Sequence, residues 1–505
     1  MSRTRRSAFN MAGVALGTIV SAAVSLIVTP HLVAALGAGR FGAFRVISDW
    51  LSYLALIEWG IGGAVSATLA AALGRGDSDR VYRTMASALR IFAVIAGMMA
   101  VAGLVLMVAV PRSTDWGAVT RGEVAIAIAV ALIPIVWSPA SVFRALADAE
   151  HQSYLVQCLI ASQAVLTALL SLAAAHLNAG LAGQSAALVL GQAPSAVILT
   201  VRALRRWPRL FATKADPEMR AELWKLNLQG LAMSANTRLS TYSDNIILGW
   251  AAGPAAVATL FLTQRFVTLV QGQLQGVGIS TWAGFAELHA RGEHEAFSAR
   301  LVELTAMVSG FGAAILVPLA AYNGWLIEIW AGKDKYAGDA VSVLACAAAW
   351  LLAITGVWLW PIHGTANIGR WLPFAAASTA VNVGVSVAGA KMWGAPGPLA
   401  GTVVAVLAVQ SWALPRMLRE LFGVPMRALA RAVTEPFIWA VPLGVALWAA
   451  TQSREMPGLG TVALELGVSL FAGVALFWSV SLPPPMRLHW RSRFALVLGR
   501  SGGAA

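Results

Sequence analysis

The sequence predicts an all-α polytopic membrane protein of about fourteen transmembrane helices, built as two six-helix lobes in a parallel pseudo-twofold repeat plus two extra C-terminal helices. Three observations predict it. The 505 residues are 58% hydrophobic and only 12% charged, with a mean hydropathy of +0.71, the balance of a chain whose solvent is mostly lipid. Apolar stretches of about 20 residues, the length that crosses a bilayer as a helix, recur almost from end to end and leave no stretch for a soluble domain of ordinary size. Gly60, Gly62, Arg75 and Gly76 recur 216 positions later as Gly276, Gly278, Arg291 and Gly292, so the chain resembles itself.

Polar breaks and Gly/Pro punctuation start the helices near residues 8, 41, 84, 122, 153, 179, 226, 255, 301, 341, 371, 397, 432 and 458. The first follows the basic "SRTRRSAFN". It reads as a span and not as a secretory or twin-arginine export signal, because its apolar run is long, no small-residue cleavage site follows and many spans come after it. The second contains "FRVISDWLSYLALIEWGIGG", residues 44–63, which has the hydropathy of a span yet carries Arg45, Asp49 and Glu58. The third to sixth are apolar runs. The seventh, "LNLQGLAMSANTRLSTYSDNIILGW", is the least hydrophobic and holds Asn227, Asn236, Arg238, Asp244 and Asn245. Reading it as a loop would put both Arg416 to Arg431 and Arg487 to Arg500 outside, so a helix facing protein or water is expected. Helices seven to twelve are expected to copy one to six, and the last two fall outside the repeat.

With the N-terminus inside, 26 of the 36 Lys and Arg residues fall in cytoplasmic segments, seven outside, and three, Arg45, Arg238 and Arg265, within spans. That imbalance follows the positive-inside rule, so the net charge of +13 is mainly a topology signal. Nucleic acid is excluded as a partner, since no domain is present to carry a basic folded surface.

Two further matches support the duplication. "ADAEHQSY" from Ala147 and "GTANIGRW" from Gly364 lie 217 apart with little identity, and "LAGQSAALVLGQ" from Leu181 matches "LAGTVVAVLAVQ" from Leu399 at 218. Nearly equal offsets in the same order favour a repeat over chance likeness between Ala/Gly/Leu-rich spans. An even number of helices per copy gives the copies the same orientation, with an axis along the membrane normal and a central cavity at their interface, a frame for alternating access. The expected divisions are an N-lobe at 1–203, a cytoplasmic basic linker at 204–225, a C-lobe at 226–420, helices thirteen and fourteen at 421–482 and a cytoplasmic basic tail at 483–505. In that tail "RLHWRSRFALVL" from Arg487 sets Trp490, Phe494 and Val497 on one face, as a surface helix would.

Candidate function sits in the intramembrane charges. With turns near Ala38 and Ala252, Arg45 lies about 10 Å below the outer end, Asp49 about 16 Å, Asp244 about 13 Å, Arg265 about 19 Å and Arg238 about 21 Å. Glu58, near 30 Å by the same rise of about 1.5 Å per residue, falls at the inner interface. An ionised group at the bilayer centre costs about 2.5–3.5 kcal/mol on insertion scales, which argues for an interior, solvated location. One reading is mutual neutralisation, Arg45 with Asp49 and Arg238 with Asp244. The other is a partly cationic substrate cavity of Arg45, Asp49, Arg238, Asp244, Arg265, Gln271 and Asn236, with Gln273 and Gln275 nearby. Arg265 favours the cavity: no acid lies within two turns of it, and its repeat equivalent is Asp49. Such a cavity suits an anionic, hydrogen-bonding ligand, because guanidinium forks bind phosphate bidentately and amides suit a sugar.

Other chemistry is thin. No P-loop, HExxH or CxxC pattern occurs, so no cofactor, metal or catalytic residue is expected. Cys158 and Cys346 read as small buried hydrophobes, and Trp350, Trp358, Trp360 and Trp371 as interfacial belt or packing residues. The "RGD" at Arg75 to Asp77 reads as repeat sequence in a cytoplasmic loop.

"LGAGRFGAFRVISDWLSYLALIEWGIGGAVSATLAAALGRGD" from Leu36 resembles the early signature of the bacterial polysaccharide flippases, an LG-x(3)-[YF]-G hairpin before a Gly-rich end of helix two and a Gly-Asp cytoplasmic loop. "FAELHARGEHE" from Phe285 is similar to that family's loop after helix eight, and the likeness covers about residues 8 to 420. The resemblance, to a branch of the multidrug/oligosaccharidyl-lipid/polysaccharide exporter superfamily, implies a carrier that is not an enzyme. It would move a lipid-linked oligosaccharide of the undecaprenyl pyrophosphate type from the cytoplasmic to the periplasmic leaflet. It further implies a multi-pass monomer of the bacterial cytoplasmic (inner) membrane with both termini cytoplasmic, membrane lipids as surroundings and polysaccharide polymerase machinery as partner. Many oligosaccharide flippases have twelve spans and the related lipid II flippases fourteen, so a lipid II flippase stays open. So do a drug/cation antiporter, which predicts membrane acids without surplus arginine, and a membrane glycosyltransferase or polymerase, for which the longest outside loop, about Tyr322 to Ala340, is short.

Overall fold

A computed structural model describes residues 3–54, 61–365, 367–482 and 487, with the side chains of 3–16, 61, 226–235, 237 and 241 outside the description. Glu58, the side chain of Asn227 and the expected surface helix of the tail beyond Arg487 therefore lie outside the described residues. Among the described residues every regular element is a helix and no strand occurs. Eleven helical stretches among the described residues are long and apolar enough to cross a membrane, accompanied by the shorter apolar helices Gly62–Gly74 and Pro254–Thr263. This is a multi-pass membrane protein. The expected count of fourteen stays a proposal: Gly17–Leu54 counts once although it holds a turn, the second expected span includes residues 55–60, and the polar seventh is not among the eleven.

Two compact units make up the chain, Met1–Ala258 with Ala390–Pro398, and Thr259–Gly389 with Leu399–Ala505. The lobe limits read from the repeat concern ancestry and not packing, and they remain a proposal.

In the first unit the helices are α1 (Arg3–Leu54), α2 (Ile61–Gly74), α3 (Ser78–Ser113), α4 (Arg121–Ala131), α5 (Ser141–Ala149), α6 (Ser153–His176), α7 (Gly180–Arg206) and α8 (Pro217–Ala252). Helix α1 turns at Gly37, whose φ of 77° and ψ of 157° only glycine adopts without strain. Between α4 and α5 the chain tightens to a 3₁₀ stretch, Ile133–Ala140, in which Pro134 and Pro139 lack the N–H groups an α-helix needs. Leu69, Met85, Phe92, Ile95, Phe143 and Leu223 centre the core that α2, α3 and α5 share with α7 and α8. The basic segment before α8 is tied down as well. Asp216 caps α8 by accepting from Glu218 N at 2.9 Å, and its own N–H donates to Ser87 Oγ of α3 at 2.9 Å.

Helix α9 (Pro254–Thr263) crosses the boundary between the units. The second unit continues with α10 (Arg265–Ala290), α11 (His294–Ala331), α12 (Asp339–Gly364), α13 (Ile368–Trp393), α14 (Pro396–Ala405), α15 (Ser411–Phe422), α16 (Met426–Thr434), α17 (Phe437–Gln452) and α18 (Leu459–Leu476). Glycine faces bring its helices close. A Cβ on Gly310 of α11 would fall 2.0 Å from Phe477, and one on Gly473 of α18 would fall 2.8 Å from the Ala314 carbonyl. Trp350 and Trp358 pack as expected, donating to Ser309 O at 2.9 Å and Thr305 Oγ1 at 3.0 Å. Cys346 is buried, but Cys158 is exposed on α6, a correction to the expected burial. Where the surroundings are lipid, a small apolar side chain is satisfied without protein contacts.

The repeat has a backbone counterpart. Gly37 recurs 216 residues on as Gly253 with φ 81° and ψ 167°, and Gly76 (φ 71°) as Gly292 (φ 72°). Matching positive-φ glycines at the interval of the sequence matches place the same turns before and after the second helix of each copy.

Candidate substrate site

Close helix approach builds the site in the first unit. Gly42 of α1 packs so tightly on the turn after α8 that a Cβ there would fall 1.7 Å from the Pro254 carbonyl oxygen. Gly249 of α8 meets Val46 of α1, where an added Cβ would fall 2.8 Å from Val46 Cγ2. One turn before Gly249, Asn245 Nδ2 donates to Asp49 Oδ2 at 2.7 Å. Asp49 is only 2% exposed, and Arg45, one turn earlier on α1, brings a guanidinium nitrogen to 3.9 Å from Asp49 Oδ1. Further along the antiparallel pair, Arg238 donates to the Ser52 carbonyl at 2.8 Å and lies 5.6 Å from the centroid of the Tyr242 ring. Asn236 and Asp244 are half-buried on the same helix.

The structure thus brings Arg45, Asp49 and Arg238 onto one helix pair with Asn245, which sequence reasoning noted only as one of several asparagines. Its polarity inside "SDNIILGW" was the available signal; its pairing with Asp49 had none. Tyr53 and Tyr242, which adjoin the group, were missed because aromatic residues at helical spacing read as packing. Arg265 and Gln271 belong to the second unit. Arg265 is the first residue of α10 and lies 5.8 Å from the Phe261 ring centroid; Gln271 is half-buried two turns on. By the 216-residue offset Phe261 and Arg265 correspond to Arg45 and Asp49, so an i,i+4 ion pair in one copy is an i,i+4 cation–π pair in the other.

The second unit also contains a cavity of about 960 Å³ among α11, α12, α15, α16 and α17. Trp350, Trp358, Phe437 and Trp448 are among its largely apolar walls, with Arg427 on the lining from α16. None of the residues expected from the sequence lines it, and its chemistry suits hydrocarbon. Nearby, polar groups knit the α11–α12 turn: Asn323 donates to Thr263 O at 2.9 Å and to Ser342 Oγ at 2.8 Å, and Tyr336 donates to Asp339 at 2.7 Å. Burial pushes the Tyr336 phenol pKa above its ordinary value, and the Asp339 carboxylate raises it further. Among the described residues no group of three or more His, Cys, Asp or Glu side chains is arranged to hold a metal ion.

These helices have the fold of solved transporters. The lipid II flippase MurJ in an inward closed conformation superimposes with a TM-score of 0.69 at 10% identity, over 92% of this chain and 98% of that one. An inward-facing multidrug resistance MATE family transporter matches with a TM-score of 0.55 at 14% identity, over 86% of this chain and 99% of that one. A transporter from Pyrococcus furiosus matches with a TM-score of 0.54 at 14% identity, over 87% and 96%. No curated protein matches in sequence. The fold defines the class, a transporter fold of the multidrug/oligosaccharidyl-lipid/polysaccharide superfamily. Within it, the chain belongs to the polysaccharide biosynthesis protein family, whose profile matches residues 8–282.

Proposed function

We propose that this protein is a flippase that carries a polyprenyl-pyrophosphate-linked oligosaccharide from the cytoplasmic to the periplasmic leaflet by alternating access, for surface polysaccharide such as O-antigen or exopolysaccharide. The carrying observation is the Arg45, Asp49, Asn245 and Arg238 group on α1 and α8 of a polysaccharide biosynthesis family member. Ionisable groups inside a membrane protein are retained where they face protein or water and do work there. In this reading Arg45, Arg238 and Arg265 neutralise the pyrophosphate, while Asp49, Asp244, Asn236 and Gln271 meet the sugar. Hydrocarbon has a place in the apolar cavity of the second unit. The chain acts as a monomer in the bacterial inner membrane with both termini cytoplasmic, alongside polysaccharide polymerase machinery, and it is not an enzyme.

Lipid analysis of a deletion strain tests this. A complete, inward-facing lipid-linked repeat unit is expected to accumulate and to clear on complementation; Arg238→Ala or Arg265→Ala should fail to clear it while inserting normally. Accumulation of lipid II would move the assignment to peptidoglycan precursor, and incomplete glycan would point to an enzyme. A second reading, a cation antiporter, takes its support from the buried acid Asp49. It predicts cation efflux that Asp49→Asn abolishes, with lipid-linked glycan unchanged.

A further inference from the structure

Beside the ion pair and amide of the α1/α8 group runs a row of aromatic rings. Trp50 and Tyr53 stand edge to face with centroids 6.0 Å apart, and Tyr53 meets Tyr242 of α8 in the same manner at 6.4 Å. Tyr242 also carries the Arg238 guanidinium. From Arg45 to Ser52, whose carbonyl holds Arg238, α1 rises about 10 Å, so the two cations meet the helix about two turns apart. All three rings are partly exposed. Among the described residues the hydroxyls of Tyr53 and Tyr242 make no hydrogen bond, and Trp50 Nε1 is buried without a partner. Packing alone is served by Leu or Phe; a hydroxyl or indole N–H inside a membrane protein is unfavourable until it meets a partner.

We propose that Trp50, Tyr53 and Tyr242 form the sugar-binding face of the substrate site, resting on the flippase reading above. The apolar C–H face of a head-group pyranose lies on the electron-rich tyrosine rings. Its hydroxyls bond to the Tyr53 and Tyr242 hydroxyls and to Asp49, which keeps acceptor capacity beyond the Asn245 bond. Arg238, at the Tyr242 end of the row, and Arg45, beside Asp49, take phosphate oxygens. Recognition is then divided: cations hold the pyrophosphate common to all such lipids, and the aromatic row selects for a sugar.

Binding by the full chain in nanodiscs separates these parts, using polyprenyl pyrophosphate without sugar and the same lipid bearing one N-acetylhexosamine. The native protein is expected to bind the sugar-bearing lipid about tenfold more tightly. Tyr53→Leu should remove most of that preference while binding the bare lipid within about twofold of the native protein, and Tyr242→Leu, which also loses the ring against Arg238, should lower the preference too. A preference that survives in both variants, or an equal loss for both lipids, overturns the sugar face. Where a leucine variant does not fold, the double variant Tyr53→Phe, Tyr242→Phe keeps both rings and should still lose about threefold of the preference; an undiminished preference overturns the proposal. A native protein that binds neither lipid overturns the flippase reading and the sugar face with it, whereas the variant results bear on the sugar face alone.

Discussion

Removing the amide of Asn245 should uncover how the carboxyl group of Asp49 is held. Asp49 is 2% exposed; its contacts are Asn245 Nδ2 at 2.7 Å and Arg45 at 3.9 Å. A hydrogen bond to a charged acceptor contributes about 1.5–3 kcal/mol. Interhelical hydrogen bonds within bilayers average about 0.6 kcal/mol and reach about 1.7 kcal/mol. The short distance and the depth of burial place this one at the upper end, so a coupling of about 1.5 kcal/mol is expected between the two side chains. The assay is reversible unfolding in mixed micelles of the native protein, Asn245→Ala, Asp49→Ala and the double variant. Independent sites add within about 0.5 kcal/mol, so a coupling inside that band would refute the inference that Asn245 anchors Asp49.

Glycine 42 and its neighbour offer opposite signs on one helix. Gly42→Ala drives a Cβ into the Pro254 backbone and should destabilise by about 1–3 kcal/mol or more, while Gly39→Ala meets open space and should stabilise by a few tenths to about 1 kcal/mol through helix propensity; thermal unfolding in detergent reads both. Asn323→Ala leaves the fully buried Ser342 without its amide donor and should cost about 1–3 kcal/mol in the same assay, with Asn323→Asp failing to recover it. Tyr336 predicts an alkaline limb. Burial raises its phenol pKa in the folded chain, so its contribution is fully present below the unfolded value near pH 10 and is lost as pH rises beyond it. Stability profiles between about pH 9 and 11.5 should fall less steeply for Tyr336→Phe, and identical slopes would remove Tyr336 as the titrating group.

Much of the fold was legible because lipid imposes a coarse rule: each span must be apolar and hydrogen-bonded within itself. The turn expected near Ala38 is made one residue away, at Gly37, and its copy at Gly253 confirms the register of the repeat. Interruptions inside spans were harder to read. Pro134 and Pro139 announce the 3₁₀ stretch at Ile133–Ala140, yet hydropathy runs straight through it. The π stretch Val406–Gln410 has a weaker cue, Pro415, which has no N–H for the carbonyl four residues earlier. Nor does repeat periodicity reveal that α8, the first helix of the second copy, packs with the first unit. Ancestry leaves its mark in spacing, whereas packing depends on which faces meet.

The site was legible where charge is expensive and illegible where its partner is ordinary. Arg45, Asp49, Arg238 and Arg265 stand out because each conflicts with an apolar helix. Ser52 does not, since Arg238 binds its backbone carbonyl, a group every residue carries. The duplicated position carries the argument further. The same turn of the second helix holds Arg45 four residues before Asp49 in one copy and Phe261 four residues before Arg265 in the other, with the turn glycines at matching angles. Duplication preserved the spacing and inverted the sign of the residue at the second position. The two copies therefore differ in what each offers at this position, an acid in the first and a cation in the second. Swapping the pair with Asp49→Arg and Arg265→Asp keeps the net charge and tests that asymmetry: glycan export should be lost while insertion is retained, and normal export would show that only total charge matters.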